Sequence, residues 1–332
     1  MKDGIEPQYV DRNGDVVYRP PYLQAGTRLT GWVLPSQEAA LQKICDQALN
    51  APSGGAVEYR PLLPMVFLVL ADIQRVSSVD PRDAQRGWVP EQDVCFWMLT
   101  GAYKDDGGGT GKKVLDHVAF YIPYIWVTNA YTMATGRESF GYPKGFGWAK
   151  LAQSPDDPGP LWADGMVLTD YTPSTEVSRE RLLTIAREAT ATPGARPASF
   201  GPGQGPAALA ALVDAMRAMA PSDGIDWDVI LQLVSDLFGG HIPMVFLKQF
   251  RSACDPTAAC YQAIIEANAT VTQFNGAQLL SPGWTLQLKE YASAQIITDL
   301  ALSASPMRAD LGFWVDYSFS MDLGREVWKA GT

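Results

Sequence analysis

Between Ala56 and Thr132 the chain is built from aromatic and β-branched runs, Tyr59 to Leu70, Val94 to Thr100 and Val118 to Thr128. Turn-forming stretches such as Asp105-Asp-Gly-Gly-Gly-Thr-Gly111 set them apart. Side chains of this kind pack well on a pleated surface, so the pattern predicts sheet. Strand patterns also occur from Arg28 to Leu34 and, after Pro243, in Met244 to Phe250, Tyr261 to Thr272 and Trp284 to Leu288. The sheet therefore has to draw on both ends of the chain. With 47% hydrophobic and 19% charged residues among 332, there is material for one large core, and residues 1–332 read as a single elaborated domain.

Helical periodicity interrupts this pattern in two places. Ser36 is expected to N-cap a helix running from Glu38 to Leu49. Further on, Arg179 to Ala191 and Pro206 to Ala220 read as helices divided by a Pro/Gly-rich linker, and Trp227 to Phe238 adds a third amphipathic run. Because strands resume afterwards, residues 178–240 are read as a helical insertion. Its apolar stripes need a partner, so it is expected to cap or line the sheet or to join copies of the chain.

Charge and residue counts narrow the chemistry. A formal charge of −10, from 26 basic and 36 acidic residues, disfavours a phosphate-binding surface, and no nucleic-acid partner is expected. The longest apolar runs, such as Pro64 to Ala71, are strand-sized and far below the ~20 residues of a membrane span. Met1 to Val10 is polar and acidic, unlike a secretory leader, and a cytoplasmic protein is expected. The four cysteines, Cys45, Cys95, Cys254 and Cys260, have no C-x-x-C spacing and read as free thiols, although Cys254 and Cys260 could bridge if their loop allowed it. Two histidines leave little material for His-based triads or multi-histidine metal sites, so neither metal nor cofactor is expected. Gly107 to Lys113 imitates a phosphate loop, but Asp106 stands where its first glycine belongs and Lys113 where Ser or Thr belongs, which leaves a hairpin tip.

The segment that carries chemistry is Thr135-Gly-Arg-Glu-Ser-Phe-Gly-Tyr-Pro-Lys-Gly-Phe-Gly-Trp148. With Gly136-Arg137-Glu138 followed by Tyr142-Pro143-Lys144, it resembles the acetoacetate decarboxylase family, whose members place a Schiff-base lysine after an aromatic residue and a proline. Trp88-Val89-Pro90-Glu91 is similar to the place of an active-site glutamate. Arg28 opens a strand-helix unit similar to the one bearing the family's carboxylate-binding arginine. The stretch from Met244 to Trp284 is similar to its closing half. The resemblance implies an α+β fold, a curved antiparallel sheet closed into a barrel-like cone with helices outside, and a homo-oligomer. It implies Lys144 and Glu91 as catalytic residues, Arg28 as the substrate-carboxylate ligand, and Arg137, Glu138 and Tyr142 in support. Two positions depart from the family. Gly145 stands where a second lysine is usual, and the apolar run Val66 to Ala71 lacks the acid found on the strand before the glutamate.

The chemistry can also be argued from the residues alone. A lysine attacks a ketone as the free amine, and at an ordinary pKa of about 10.4 less than roughly one in a thousand is neutral at pH 7. Desolvation by Phe140, Tyr142, Phe146 and Trp148 is expected to lower that pKa, helped by a nearby cation such as Arg28 or Arg137. The iminium then accepts electrons from a breaking bond, either in decarboxylating a β-keto acid or in aldolase or dehydratase chemistry on a 2-keto acid such as pyruvate. Other readings are open for each residue. Lys144 could be a solvated charge in a polar turn, Arg28 a structural ion-pair partner, Glu91 a surface charge in a loop, and the whole chain a non-catalytic protein that binds small molecules in the same pocket.

Overall fold

In the computed structural model, which describes residues 7–12, 17–109, 111–188, 198–219, 225–228, 230 and 242–331, the apolar runs join edge to edge into one mixed sheet. Its first strands are β1 (Tyr22–Pro35), β2 (Glu58–Pro61), β3 (Met65–Ser78), β4 (Val89–Asp105) and β5 (Lys113–Val127). They are followed by β6 (Lys144–Lys150), β7 (Leu161–Val167), β8 (Ser178–Arg187), β9 (Ser199–Phe200) and β10 (Ile242–Arg251). The last are β11 (Ala259–Leu279), β12 (Trp284–Leu288), β13 (Met307–Arg308), β14 (Leu311–Met321) and β15 (Arg325–Lys329). The helices are α1 (Glu38–Cys45), α2 (Ala130–Ser139), α3 (Gly205–Met219) and α4 (Ile296–Asp299).

Seven strands close a ring in the order β1, β3, β4, β5, β10, β11 and β14, with β14 returning to β1. Closure leaves these strands no free edge. The ring is antiparallel except at β5, which runs parallel to β10 and also to β6 outside the ring. For β6 the cause is local. Helix α2 carries the chain back to the start of β5's far half, and a crossover of that kind makes the next strand parallel.

Residues alternate between the two faces of the ring, and both faces are buried. On β3, Phe67, Val69, Ala71 and Ile73 point inward while Val66, Leu68 and Leu70 point outward. That double burial explains why Met65 to Ala71 is a continuous apolar run rather than an alternating one. The outer face is covered by strands β7, β8 and β12 together with α1, and Trp32 meets Trp284 there at 5.1 Å in an edge-on contact. The inner face encloses the second core, to which α3 contributes Leu212, Val213 and Met216.

Two local expectations need correction, and the free-thiol reading of the cysteines holds. Ser178–Arg187 is strand β8, not a helix, and pairs with β7 and β12. Arg179 and Arg181 both bind Asp164, and residues two apart share a face on a strand but not on a helix. Tertiary pairing overrides the helix-favouring Arg-Glu-Arg-Leu composition. The residue preceding α1 is Gln37, and Ser36 instead donates its hydroxyl to the Leu300 carbonyl at 2.6 Å. All four cysteines are free thiols, Cys45 and Cys95 buried and the other two exposed. The expected helix Pro206 to Ala220 appears as α3, whereas most of Trp227 to Phe238 and the Asn13-Gly14 hairpin lie outside the described residues.

On the outer face a polar network ties β2, β5, β11 and β15 together through Glu266. Its carboxylate accepts from Tyr59 at 2.6 Å and Arg325 at 2.8 Å and pairs with His117 at 2.6 Å. The hydrogen bond to Glu266 raises the His117 pKa against the opposing effect of burial, with Asp116 adding to it. Glu266 lies below its ordinary value because the bonds from His117 and Tyr59 outweigh burial. A raised histidine stabilises the fold below its unfolded value of about 6.5 and loses that contribution as pH rises through the raised value. A lowered glutamate stabilises above about 4.3 and loses it as pH falls. Replacing His117→Gln should therefore lower Tm by about 2 °C near pH 5.5, with the difference from wild type fading in alkaline buffer. Equal Tm differences at both pH values would exclude this assignment.

Candidate active site

The residues around Lys144 are placed by the turn between α2 and β6. Asn129 caps α2 by accepting from the Tyr131 N–H at 2.9 Å. The helix ends with three N–H groups, those of Phe140, Gly141 and Tyr142, converging on the Gly136 carbonyl. Gly141 holds φ at +94°, and a Cβ there would lie 2.5 Å from the Lys248 Cα, so only glycine fits on both counts. The chain then enters β6 with Lys144 opposite Ile125 and its side chain turned into the ring. Gly136 is the second close approach, since a Cβ there would meet the Lys144 Cδ and Cε at 2.9 Å. The glycine of Gly136-Arg137-Glu138 is thus what lets α2 lie against the lysine stem.

Lys144 is 7% exposed and its Nζ donates to Glu91 Oε1 at 2.5 Å and to the Thr132 carbonyl at 3.4 Å. Glu91 is 3% exposed and belongs to β4, not to a loop. From it, Glu91, Asp93, Cys95 and Trp97 follow at period two, and all four line the same cavity of about 90 Å³. Apart from the ion pair the walls are mostly apolar and aromatic, including Tyr22, Phe140, Tyr142, Met244 and Phe319. Tyr142 presents its ring 5.2 Å from the Lys144 nitrogen and packs against Phe246 with ring centroids 4.1 Å apart and planes tilted by 48°.

The electrostatics reverse one expectation. Burial is the largest influence on Lys144 and presses its pKa down, yet the charges of Glu91 and then Asp93, with the hydrogen bond to Glu91, together outweigh burial and hold the amine above the ordinary lysine value. Asp93 is pushed well above the ordinary carboxyl range, first by burial and then by the negative charge of Glu91, with Lys144 acting the other way. Its buried Oδ1 has no hydrogen-bond partner among the described residues. The site is therefore the Lys144–Glu91 ion pair with a second buried carboxyl group beside it. Among the described residues Lys144 is the only cation in the wall of this cavity.

The other expected residues fall into two groups. Arg137, itself exposed, donates to the Lys144 carbonyl at 2.9 Å and so fixes the backbone of the lysine. Neither it nor the half-buried Glu138 lines the cavity. Arg28 does not line it either. A register shift between Gln24 and Thr27 sets the facing of β1 beyond it, where Leu29 joins the inner core. Arg28, one residue earlier, takes the opposite face and pairs with Asp72 at 3.0 Å. The structural ion-pair reading thus describes its position in the sheet. Gly145 likewise faces away from Lys144, and its Cβ would press on the Trp126 ring at 3.0 Å. A lysine at that position would lie beyond the strand from the Lys144 amine and could not depress its pKa by proximity.

No family model and no curated protein matches this chain. Solved structures do. An acetoacetate decarboxylase aligns at a TM-score of 0.57 and 15% identity, over 96% of this chain and 94% of its own. The acetoacetate decarboxylase of Legionella pneumophila aligns at 0.57 and 12%, over 100% and 95%. The chain has the acetoacetate decarboxylase-like fold. The enduracididine biosynthesis enzyme MppR, solved with the condensation product of pyruvate and imidazole 4-carboxaldehyde, aligns at 0.53 and 13% over 95% of this chain and 92% of its own.

Within this acetoacetate decarboxylase-like cone, sequence reasoning missed Asp93, Cys95 and Tyr317, which line the cavity beside the expected lysine. The first two were open to it, because the run Glu91-x-Asp93-x-Cys95-x-Trp97 has strand spacing once Glu91 is placed on β4. The second acid, sought on the preceding strand, lies two residues after the first. If Glu91 is the counterweight to burial, Lys144 in the double variant Glu91→Gln, Asp93→Asn should titrate below about 10.4. Carbon-13 NMR of the lysine side chain reads this directly. An ammonium that persists above that pH would refute the assignment.

Proposed function

We propose that the chain is a lysine-imine carbon–carbon lyase that takes a β-keto acid and releases carbon dioxide. The observation that supports it is the Lys144–Glu91 pair enclosed in an apolar cavity, with the carboxyl of Asp93, raised well above its ordinary range, at its side. Reaction requires the Lys144 ammonium to pass its proton along the hydrogen bond to Glu91, which leaves an amine beside a carboxylic acid. The amine adds to the ketone carbon, and the protonated carboxyls supply the proton with which hydroxide leaves as water. The resulting iminium nitrogen draws the electron pair of the adjacent carbon–carboxylate bond, giving an enamine and neutral carbon dioxide. In an apolar site this step removes two poorly solvated charges at once. Protonation of the enamine carbon from Asp93 or Glu91 and hydrolysis of the imine return the lysine.

A second reading is aldol or dehydration chemistry on a 2-keto acid through the same imine. Two carboxyl groups beside the nitrogen favour it, because Glu91 can take a C–H proton that decarboxylation does not require removing. The absence of Arg28 from the cavity wall bears on both readings, since the iminium itself is then the counter-charge for a substrate carboxylate.

Borohydride treatment with a panel of β-keto acids and 2-keto acids, followed by intact mass, should give a reduced adduct that Lys144→Ala abolishes without loss of fold. Carbon dioxide released from one class only assigns the reaction. A chain that binds keto acids yet gives no adduct is a binding protein. Gly136→Ala should slow trapping at least tenfold while costing about 1–3 kcal/mol of stability, because its methyl crowds the Lys144 stem. Unchanged trapping would show that the stem has room the structure does not provide.

A further inference from the structure

Beside the Lys144 cavity lies a second one, of about 200 Å³, between the inner face of the ring and helix α3. Among the described residues its wall contains no charged side chain, and its only side-chain oxygens are those of Gln278 and Tyr317. Ala208, Leu212 and Met216, at helical spacing on α3, face Leu29, Phe67 and Leu99 across it. Trp97 and Tyr317 line both cavities and form the partition between them. Trp97 is held by its Nε1–H donating to Cys95 Sγ at 2.9 Å and by Phe120, which packs on it at 5.5 Å from within the second cavity. An apolar cavity of about 150 Å³ already stays dry and accepts a benzene ring, and leaving a larger one empty destabilises a fold in proportion to its volume.

We propose that this second cavity binds an aliphatic or aromatic hydrocarbon group of the substrate whose carbonyl reacts at Lys144. The inference rests on the imine reading for the reacting carbonyl and extends it from acetoacetate-sized molecules to 3-oxo acids and ketones carrying an apolar chain several carbons long. The polar end of the ring then holds the carbonyl against Lys144, Glu91 and Asp93. The chain passes Trp97 and Tyr317 into the compartment under α3. Each methylene entering it tightens binding roughly fourfold until the space is filled.

The test separates the cavity from the chemistry. In the Lys144→Ala protein, where no imine forms, displacement of the neutral dye N-phenyl-1-naphthylamine is measured with acetone, 2-pentanone, 2-heptanone and 2-nonanone. Affinity is expected to climb with chain length, and Leu212→Trp, which fills the cavity from α3, should flatten the series while leaving acetone unaffected. Should Leu212→Trp fold poorly, Ala277→Leu narrows the opposite wall with one isobutyl group. A flat series in Lys144→Ala, or a climb that survives both filling variants, would overturn the proposal. Borohydride adducts of the same ketones with the otherwise native chain report on the imine separately. A climbing series without any adduct leaves the cavity assignment standing and removes the imine reading.

Discussion

The structure depends on one buried charge pair. Lys144 and Glu91 are 7% and 3% exposed, and an unmatched ion at either position would cost several kcal/mol. Each therefore requires the other, and the pair requires a wall that excludes water without crushing it. The closed ring supplies the wall, α2 covers the lysine stem, and the two glycines at 136 and 141 allow the approach. Asp93 completes the arrangement as a second carboxyl whose pKa burial pushes well above the ordinary range.

The same ring has two kinds of interior. Around Lys144 the wall carries hydroxyls, carboxyls and an amine. Towards α3 it carries almost nothing but carbon. Two side chains, Trp97 and Tyr317, separate these regions, and each belongs to a strand of the ring rather than to a loop. Their positions are accordingly fixed by sheet register. A substrate that spans both regions is oriented before any chemistry begins, with its reactive group at the polar end.

Much of this was legible in the sequence where a residue's role is local. The β4–β5 hairpin, the strands after Pro243 and the lysine turn follow from alternation, glycine and proline at short range. Lys144 and Glu91 were found because their flanking residues resemble a known arrangement. Facing was not legible. Arg28 and Leu29 are adjacent, and only the register shift near Gly26 decides which one looks inward. Strand β8 was misread because its arginines and glutamate favour a helix in isolation, while its pairing partners, β7 and β12, lie far away in sequence on one side. The direction of the Lys144 shift was missed for a similar reason: aromatic neighbours were visible, but the strength of the Glu91 contact is a matter of distance.

The closure of the ring has a consequence for how the site comes into being. Strands β1 and β14 are nearly three hundred residues apart yet neighbours, with Tyr22 opposite Met321, and both of those residues line the lysine cavity. During synthesis Lys144 and Glu91 emerge long before β14, and until it docks the barrel is an open sheet with its ionic centre in water. Solvent access to the amine is thus set by the last long strand to be made. The enclosed pocket should appear abruptly at the end of folding, and any chain cut short before Met321 would carry Lys144, Glu91 and Asp93 without their closed wall.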